Sequence, residues 1–111
     1  MSVFLIETWA VKPEDLESHD LLWGKYVRYM RKNPELFREI KSMKLLRKIQ
    51  GKDLITHAQT VEFESLSDKE ILDKRVSADN ESLEFKRKLM LVKNIKTTSE
   101  VLCESFVEFI G

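Results

Sequence analysis

The pattern of hydrophobic positions at the start of the chain predicts a strand that is buried on both faces. Residues Val3–Val11 are almost all β-branched, aromatic or aliphatic, and they include neither glycine nor proline. Both alternating sets of this segment are largely apolar, whereas a strand with one face in water shows one polar set. Pro13 ends the strand and suits the first turn of a helix, because its φ is fixed and it has no N–H. We therefore expect a central strand that is followed at once by a crossover helix.

A helical hydrophobic period follows from Pro13 to about Lys32. At about 100° per residue, its apolar and aromatic positions fall within an arc of roughly 160°, opposite a charged side. The predicted buried face contains Leu16, His19, Leu22, Trp23, Tyr26, Val27, Tyr29 and Met30. The helix should end before Pro34, because a residue that precedes proline avoids helical φ and ψ. Residues Pro34–Ile40 then form a further turn of helix or a packed loop.

Strand periodicity returns in the middle and at the end of the chain. Residues Ser42–Ile49 and Leu54–Glu64 predict two strands, and Gln50–Asp53 between them is a credible hairpin turn. Residues Glu100–Ile110 predict the last strand, in which Cys103 is expected to be a small buried hydrophobe. The second and the last strand carry more charge than the other two, which indicates that they lie at the edges of a sheet.

The segment between the third and the last strand predicts a helix in two parts. Ser67 and Glu70 have the spacing of a capping box, with Leu66 at the staple position, so the helix should start at Ser67. The apolar period weakens further along, where Asp79 or Asn80 can cap a second part. The apolar stripe of that second part consists of Phe85, Leu89 and Val92.

The resulting order is strand, helix, strand, strand, helix, strand. This order predicts an α+β, ferredoxin-like βαββαβ fold, in which a four-stranded antiparallel sheet carries its helices on one face. Right-handed crossovers place the first and the third strand side by side in the centre of the sheet. A chain of 111 residues is long enough for one core but not for two. We therefore expect residues 1–111 to form a single domain.

Composition and charge disfavour several classes of function. Nineteen basic and nineteen acidic residues give a net charge of zero, so no electrostatic footprint for nucleic acid or an anionic membrane stands out. We see no signal peptide and no membrane-spanning run, and a single cysteine is compatible with a reducing cytosol, so a cytoplasmic location is expected. The three glycines do not cluster, which disfavours a phosphate-binding loop and a nucleotide-binding enzyme.

Three segments of the chain together resemble a known family. They are Glu7–Pro13 before an amphipathic helix, the strand-to-helix run Val61–Glu70, and Ser82–Phe85 in the broken second helix. This pattern resembles NIPSNAP-like and antibiotic-biosynthesis-monooxygenase-like proteins of the dimeric α+β-barrel superfamily. The resemblance covers most of the chain and implies a ferredoxin-like subunit that pairs as a dimeric α+β barrel. That superfamily contains cofactor-free monooxygenases, haem-degrading enzymes, isomerases, stress-induced proteins and ligand sensors, so the resemblance implies a fold more firmly than a chemistry.

Haem and metal chemistry are both disfavoured by the residues present. Haem-degrading members of the superfamily rely on a histidine in the second helix and an asparagine on the first strand. Residues 67–92 contain no histidine and residues 3–11 contain no asparagine. Two histidines and a carboxylate are also the ligands of an iron facial triad, but here they come from separate elements without a spacing motif. We therefore expect no metal and no cofactor.

Polar and aromatic residues are predicted to meet in the space between the first helix and the sheet. His19 lies on the aromatic face of the helix, where it is either a hydrogen-bonded core residue or part of a pocket. His57 and Gln59 share one face of a central strand, and Glu7 raises the same question on the first strand, because burial would raise its carboxyl pKa. The expected catalytic residues are Glu7 and His57. The expected pocket residues are Trp9, His19, Trp23, Tyr26, Arg47 and Gln59.

These observations favour a small homodimer, paired sheet against sheet, that binds a small hydrophobic or aromatic molecule. Both alternating sets of the central strands are apolar, whereas the helices cover only one face of the sheet. Lys44 and Lys48 on one edge can then meet Glu104 and Glu108 of the second copy. Three versions stay open: a cofactor-independent monooxygenase or isomerase, a binding or stress-related protein without chemistry, and a dimerisation module whose cavity is filled by its own side chains.

Overall fold

In a computed structural model, the chain forms a four-stranded antiparallel sheet with helices packed on one face. The structure describes residues 2–49 and 53–111, and only the backbone of residues 94–97. The short 3₁₀ turns Pro13–Asp15 and Pro34–Phe37 precede the first helix and the second strand. The main elements are β1 (Val3–Val11), α1 (Leu16–Lys32), β2 (Ile40–Arg47), β3 (Ile55–Phe63), α2 (Leu66–Ser77), α3 (Asn80–Val92) and β4 (Asn94–Glu104).

The strand order is β2-β3-β1-β4, and every pair is antiparallel. This order confirms the predicted ferredoxin-like topology, with β1 and β3 in the centre. Along β1, Glu7 lies opposite Gln59 and Trp9 lies opposite His57 of β3. On the other side of β3, His57 lies opposite Arg47 of β2. The register therefore places five of the predicted site residues in two adjacent rows across the sheet.

The core lies between the sheet and the helices. It contains Trp9, Val11, Trp23, Tyr26, Phe37, Val61, Phe63, Leu72, Val76 and Leu89. Three residues of α1 are buried, namely His19, Trp23 and Tyr26, and they all belong to the face that the helical period predicts. Trp9 and Trp23 are stacked, with ring centroids 5.9 Å apart. The aromatic face of α1 therefore packs directly on β1.

The structure corrects the predicted start of α2. Ser65, rather than Ser67, is the N-cap, and its side chain accepts a hydrogen bond from the backbone N–H of Asp68 at 3.2 Å. The helix already includes Leu66, so the predicted capping box of Ser67 and Glu70 is wrong. At α3 the prediction holds, because the Asp79 side chain accepts from the backbone N–H of Ser82 at 3.1 Å.

The strand boundaries also differ from the predicted ones. β2 begins and ends two residues earlier than expected, and the predicted turn residues Gln50, Gly51 and Lys52 lie outside the described residues. β4 covers Asn94–Glu104 rather than Glu100–Ile110, because Glu104 pairs with Val3, where β1 begins. Beyond that point, the backbone N–H of Ser105 still donates to the carbonyl oxygen of Ser2 at 3.0 Å, and residues 106–111 have no regular structure.

The two faces of the sheet differ in how they are covered. Odd-numbered residues of β1 face the helices, whereas Phe4, Ile6 and their neighbours on other strands face away from them. Cys103, opposite Phe4 on this second face, is exposed, which corrects its expected burial. Leu46 and Val101 are 51% and 52% exposed. In the described part of the chain, none of the helices has the length and hydrophobicity that a membrane crossing needs.

Candidate functional site

A cavity of about 270 Å³ lies between the sheet and the helices. β1 contributes Leu5 and Glu7 to it, because alternate residues of this strand point toward the helices. α1 contributes Trp23 and Tyr26, which are three residues apart and therefore share a helix face. Other hydrophobic residues complete the wall, namely Met30, Phe37, Ile40, Met43, Val61, Phe63, Leu72, Val76, Leu89 and Met90. The cavity is thus mostly apolar, with a small number of polar groups.

Glu7 and Lys93 are two of these polar groups, and burial shifts the pKa of each in the direction that favours the neutral form of the group. Burial raises the pKa of the Glu7 carboxyl, and the nearby Lys93 ammonium opposes part of that rise. Burial lowers the pKa of Lys93, and the Glu7 carboxylate opposes that change. The Lys93 ammonium stands 4.1 Å from the centroid of the Trp9 ring and 5.7 Å from that of Trp23. An acid and a base therefore share a partly desolvated site.

Trp23 carries a hydrogen-bond donor without an acceptor. Its side chain is 7% exposed, and it lines the cavity. Among the buried side-chain nitrogen and oxygen atoms of the described residues, its Nε1 alone lacks a hydrogen-bond partner. Gln59, which also lines the cavity, does have an acceptor, because its Nε2 donates to the sulfur of Met43 at 3.2 Å. A buried orphan N–H is uncommon enough in proteins to require an explanation.

His19 lies behind Trp9, where it is 2% exposed. The Trp9 Nε1–H donates to His19 Nε2 at 2.9 Å. An indole N–H can only donate, so Nε2 holds a lone pair and the ring proton is on Nδ1, which donates to Asp20 at 3.0 Å. Burial lowers the pKa of His19, and the hydrogen bond to Asp20 only partly offsets this. His19 is therefore a neutral, fully bonded imidazole.

His57 is held in the same way. The Arg47 Nε–H donates to His57 Nε2 at 2.9 Å, and His57 Nδ1 donates to the carbonyl oxygen of Ile55 at 2.9 Å. Burial lowers the pKa of His57, and the neighbouring His19 lowers it further. The two imidazole centroids are 4.4 Å apart, and Arg47 also donates to Asp20. We call the group formed by Trp9, His19, Asp20, Arg47 and His57 the histidine cluster.

The histidine cluster has the residue types of a metal site but not the free ligand atoms. Ring nitrogens of His19 and His57 and a carboxylate oxygen of Asp20 lie within 4.8 Å of one another, the one such grouping in the described part of the chain. Both Nε2 atoms already accept hydrogen bonds, and one of the donors is the guanidinium of Arg47. A cation would have to displace that positive charge. The arrangement fits a hydrogen-bonded network better than a metal ligand set.

The predicted site residues are therefore divided between two places. Trp23, Tyr26, Gln59 and Glu7 line the cavity. Trp9, Arg47 and His57 line a second, more open groove on the other side of Trp23, and His19 lines neither. Glu7 and His57, the expected catalytic residues, share no hydrogen bond or ion pair in the described part of the chain. Their catalytic roles stay predictions.

Sequence analysis did not single out Asp20 or Lys93. Lys93 follows Leu89 by four residues, so it continues the apolar stripe of α3, and a lysine at such a position is a detectable signal. Asp20 directly follows His19 in the chain, but its contacts with Arg47 depend on β2. The pairing of these two elements is a tertiary feature that a helical period does not contain.

Comparisons with known proteins give structural likenesses only. No protein-family model matches the chain, and no curated protein matches it. A variant of SnoaB, a cofactor-independent oxygenase from Streptomyces nogalater, superposes with a TM-score of 0.69 at 11% identity, covering 96% of this chain and 95% of that one. A NIPSNAP family protein from Agrobacterium tumefaciens gives a TM-score of 0.66 at 10% identity, covering 94% and 92%. At these identities the likeness shows a shared ferredoxin-like α+β fold.

A further likeness agrees with this assignment of the fold. A dimeric protein of unknown function with a ferredoxin-like fold, from Bacteroides fragilis, gives a TM-score of 0.64 at 14% identity, covering 94% of this chain and 96% of that one. The resemblance to NIPSNAP-like and monooxygenase-like proteins is thus confirmed at the level of the ferredoxin-like α+β subunit fold. At such identities the likeness concerns the fold, and each neighbour's activity is its own.

Proposed function

We propose that this protein binds a small, mostly apolar or aromatic molecule in the cavity between its helices and its sheet. The observation that carries the proposal is the cavity itself, about 270 Å³ in volume, with aromatic walls and few polar groups. Ligand sites in proteins are typically concave and apolar, with a small number of polar groups that orient the ligand. Trp23 and Tyr26, whose ring centroids are 5.9 Å apart, offer aromatic faces to a flat molecule.

A second candidate function is a cofactor-independent monooxygenase or isomerase. Glu7 supports it, because a carboxyl with a raised pKa inside an apolar cavity is suited to accept a proton from a bound substrate. His57 is less well placed for that role, because Arg47 already donates to its Nε2. The structurally similar SnoaB is a cofactor-independent oxygenase, so oxygenation is the first chemistry to test.

Two non-enzymatic versions share the same fold. A binding or stress-related protein would use the cavity without turnover. A dimerisation module would fill it with its own side chains, but the volume of the cavity disfavours this version. The orphan Trp23 N–H also favours an occupied cavity over a packed one, because a purely structural core seldom leaves a donor unpaired.

We also propose that the protein is a homodimer built sheet against sheet. The face of the sheet away from the helices presents Phe4, Ile6, Leu46 and Val101, and no described element of the same chain covers it. The C-terminal segment adds four side chains that are 75–93% exposed, namely Phe106, Val107, Phe109 and Ile110. An apolar surface of this extent is unusual on a monomer. In light scattering after size exclusion, we expect a mass of twice 13.1 kDa, and a stable species of 13.1 kDa would contradict the dimer.

Native mass spectrometry of the purified protein tests the binding function. We expect a co-purified small molecule that denaturation releases, and a protein that stays unliganded even with added apolar aromatics would contradict the proposal. Oxygen consumption or isomerisation of the released molecule by the protein alone then distinguishes an enzyme from a binding protein. In an enzyme, Glu7→Gln should remove turnover without dissociating the dimer, whereas equal losses of stability and activity would mark Glu7 as structural.

A further inference from the structure

Among the described residues that line the cavity, two hydrogen-bond donors that are buried or partly buried lack acceptors, whereas the Lys86 ammonium is exposed to solvent. One is the buried Nε1–H of Trp23. The other is the Lys93 ammonium, whose near neighbours are the faces of the Trp9 and Trp23 rings. In the described part of the chain, the ammonium makes no hydrogen bond and no ion pair within 4.0 Å, and Glu7 acts on it only at longer range. The donors belong to different elements, yet both side chains line the same space.

The Lys93 ammonium has hydrogen bonds left unmade in the unliganded protein, and a ligand could accept them. Aromatic rings stabilise a nearby cation through their negative faces, but they accept none of its three N–H hydrogen bonds. Partial burial disfavours the hydration of the charged ammonium, and this desolvation lowers the pKa of Lys93. A group that accepts hydrogen bonds and carries a negative charge would correct both deficits at once.

Trp23 points to the same chemistry through an independent observation. Its N–H is neutral, so it needs an acceptor rather than a charge. The ammonium lies 5.7 Å from the centroid of the Trp23 ring, so a carboxylate bound at this end of the cavity would be close to both side chains. A neutral carbonyl offers one oxygen and no charge, so it satisfies this pair less completely.

We propose that Lys93 and the Trp23 N–H form a carboxylate subsite, so that the ligand of this cavity is a small apolar acid. The inference rests on the proposed binding function and adds the class of ligand. The hydrocarbon part of the acid occupies the aromatic and aliphatic wall, and its carboxylate accepts from Lys93 and Trp23 at the end of the cavity near Trp9.

Glu7 is the acidic group that such a ligand must face. Asp73 also lines the cavity, but Lys69 neutralises it at 2.6 Å. Around Glu7, the charges of Lys93, Lys86 and Lys69 oppose its raised pKa, whereas Glu100 raises it further. The negative charge of a bound carboxylate would raise the pKa of the Glu7 carboxyl further. We therefore expect Glu7 to take up a proton when the ligand anion binds.

The experiment compares two probes of nearly identical shape, 2-naphthoate and its neutral amide 2-naphthamide, by isothermal titration calorimetry. The wild-type protein should bind the carboxylate about tenfold more tightly than the amide, because one charge-assisted hydrogen bond separates them. Lys93→Met keeps the apolar stem and should abolish this preference while binding of the amide changes little. Lys88→Met removes the same charge from the exposed face of α3 and is the matched control, in which the preference should persist.

Trp23→Phe keeps an aromatic ring and removes only the N–H donor. It should weaken the binding of both probes by roughly threefold to tenfold, because each offers an oxygen to that donor. Thermal melts of each variant establish that it folds. Repeating the titration in two buffers of different ionisation enthalpy measures the expected proton uptake.

The outcomes separate the two proposals. Equal affinity of the wild-type protein for both probes, or an undiminished preference in Lys93→Met, would overturn the carboxylate subsite while leaving an apolar binding cavity. Failure of folded wild-type protein to bind either probe would contradict the binding function itself, and the subsite with it. A preference lost in Lys93→Met and kept in Lys88→Met would support both.

Discussion

The histidine cluster and the cavity lie on either side of Trp23, and they treat polar groups in opposite ways. In the cluster, both imidazoles have every ring nitrogen in a hydrogen bond, to Trp9, Asp20, Arg47 or a backbone carbonyl. In the cavity, Lys93 contacts aromatic faces and the Trp23 N–H has no acceptor. Satisfied polar groups stabilise a fold, whereas unsatisfied ones indicate a missing partner.

This contrast is our reason for placing the proposed ligand site in the cavity rather than in the histidine cluster. Two histidines and an aspartate within 4.8 Å suggest a site by residue type alone. Their hydrogen bonds instead indicate a structural network that attaches α1 to β1, β2 and β3. The less conspicuous lysine and indole have the incomplete bonding that a ligand would complete. Residue types alone suggest both places as ligand sites. The hydrogen bonds that are already made favour the cavity over the histidine cluster.

The largest expected difference is in stability. His19→Ala should lower the free energy of unfolding by about 3 kcal/mol, because it removes a buried ring and leaves the Trp9 N–H unpaired. Lys93→Met should change it by less than about 1 kcal/mol, since a partly buried cation becomes an apolar side chain. Urea denaturation measures both, and Ser18→Ala on the exposed face of α1 is the control, with little change expected. A His19→Ala protein as stable as the wild type would contradict the structural role of the cluster.

A smaller effect should appear on acidification. Folded His19 and His57 have pKa values below the 6.5 that is usual for histidine, so they bind fewer protons than the same residues in the unfolded chain. The stability they contribute is complete above about pH 6.5 and is lost as the pH falls through 6.5 toward their folded pKa values. His57→Gln retains an acceptor and a donor but does not titrate. Unfolding curves across this range should therefore show a weaker pH dependence for His57→Gln, and an unchanged one would count against a neutral His57.

Much of the fold follows from the sequence, because its signals are local and periodic. Strand β1 and helix α1 each have a period long enough to identify the element and its buried face, and Trp23 and Tyr26 are where that period places them. The order of elements then restricts the topology to a few arrangements, and the observed strand order is the predicted one. Boundaries were less predictable, since Glu104 ends β4 only because β1 begins at Val3.

The candidate site was predictable in its components but not in their grouping. Trp9, His19 and His57 have the composition of one pocket. Trp9 instead donates to His19 and Arg47 donates to His57, and none of these side chains lines the cavity between the helices and the sheet. Which donor finds an acceptor depends on distances between elements, and no periodicity contains them. The place of Lys93 in the apolar stripe of α3 was detectable in the sequence, but its position over the Trp9 ring depends on how the end of α3 meets β1.

The smallest expected effect concerns Glu7, and its sign is opposite to that of the histidines. The folded pKa of Glu7 is raised above 4.5, so its carboxylate opposes folding once the pH rises through that folded pKa. Glu7→Gln removes the charge and retains the shape. Relative to the wild type it should gain at most about 1 kcal/mol of stability near neutral pH, because Lys93 and solvent already compensate part of the burial. The gain should vanish below about pH 4.5, where Glu7 is protonated in both states.

Denaturation of the wild-type and Glu7→Gln proteins from acid to neutral pH measures the difference. A Glu7→Gln protein that is less stable at neutral pH than in acid, relative to the wild type, would show that Glu7 is a satisfied structural ion. Glu7 would then be a satisfied polar group like those of the histidine cluster, and the contrast between the cavity and the cluster would not hold for it.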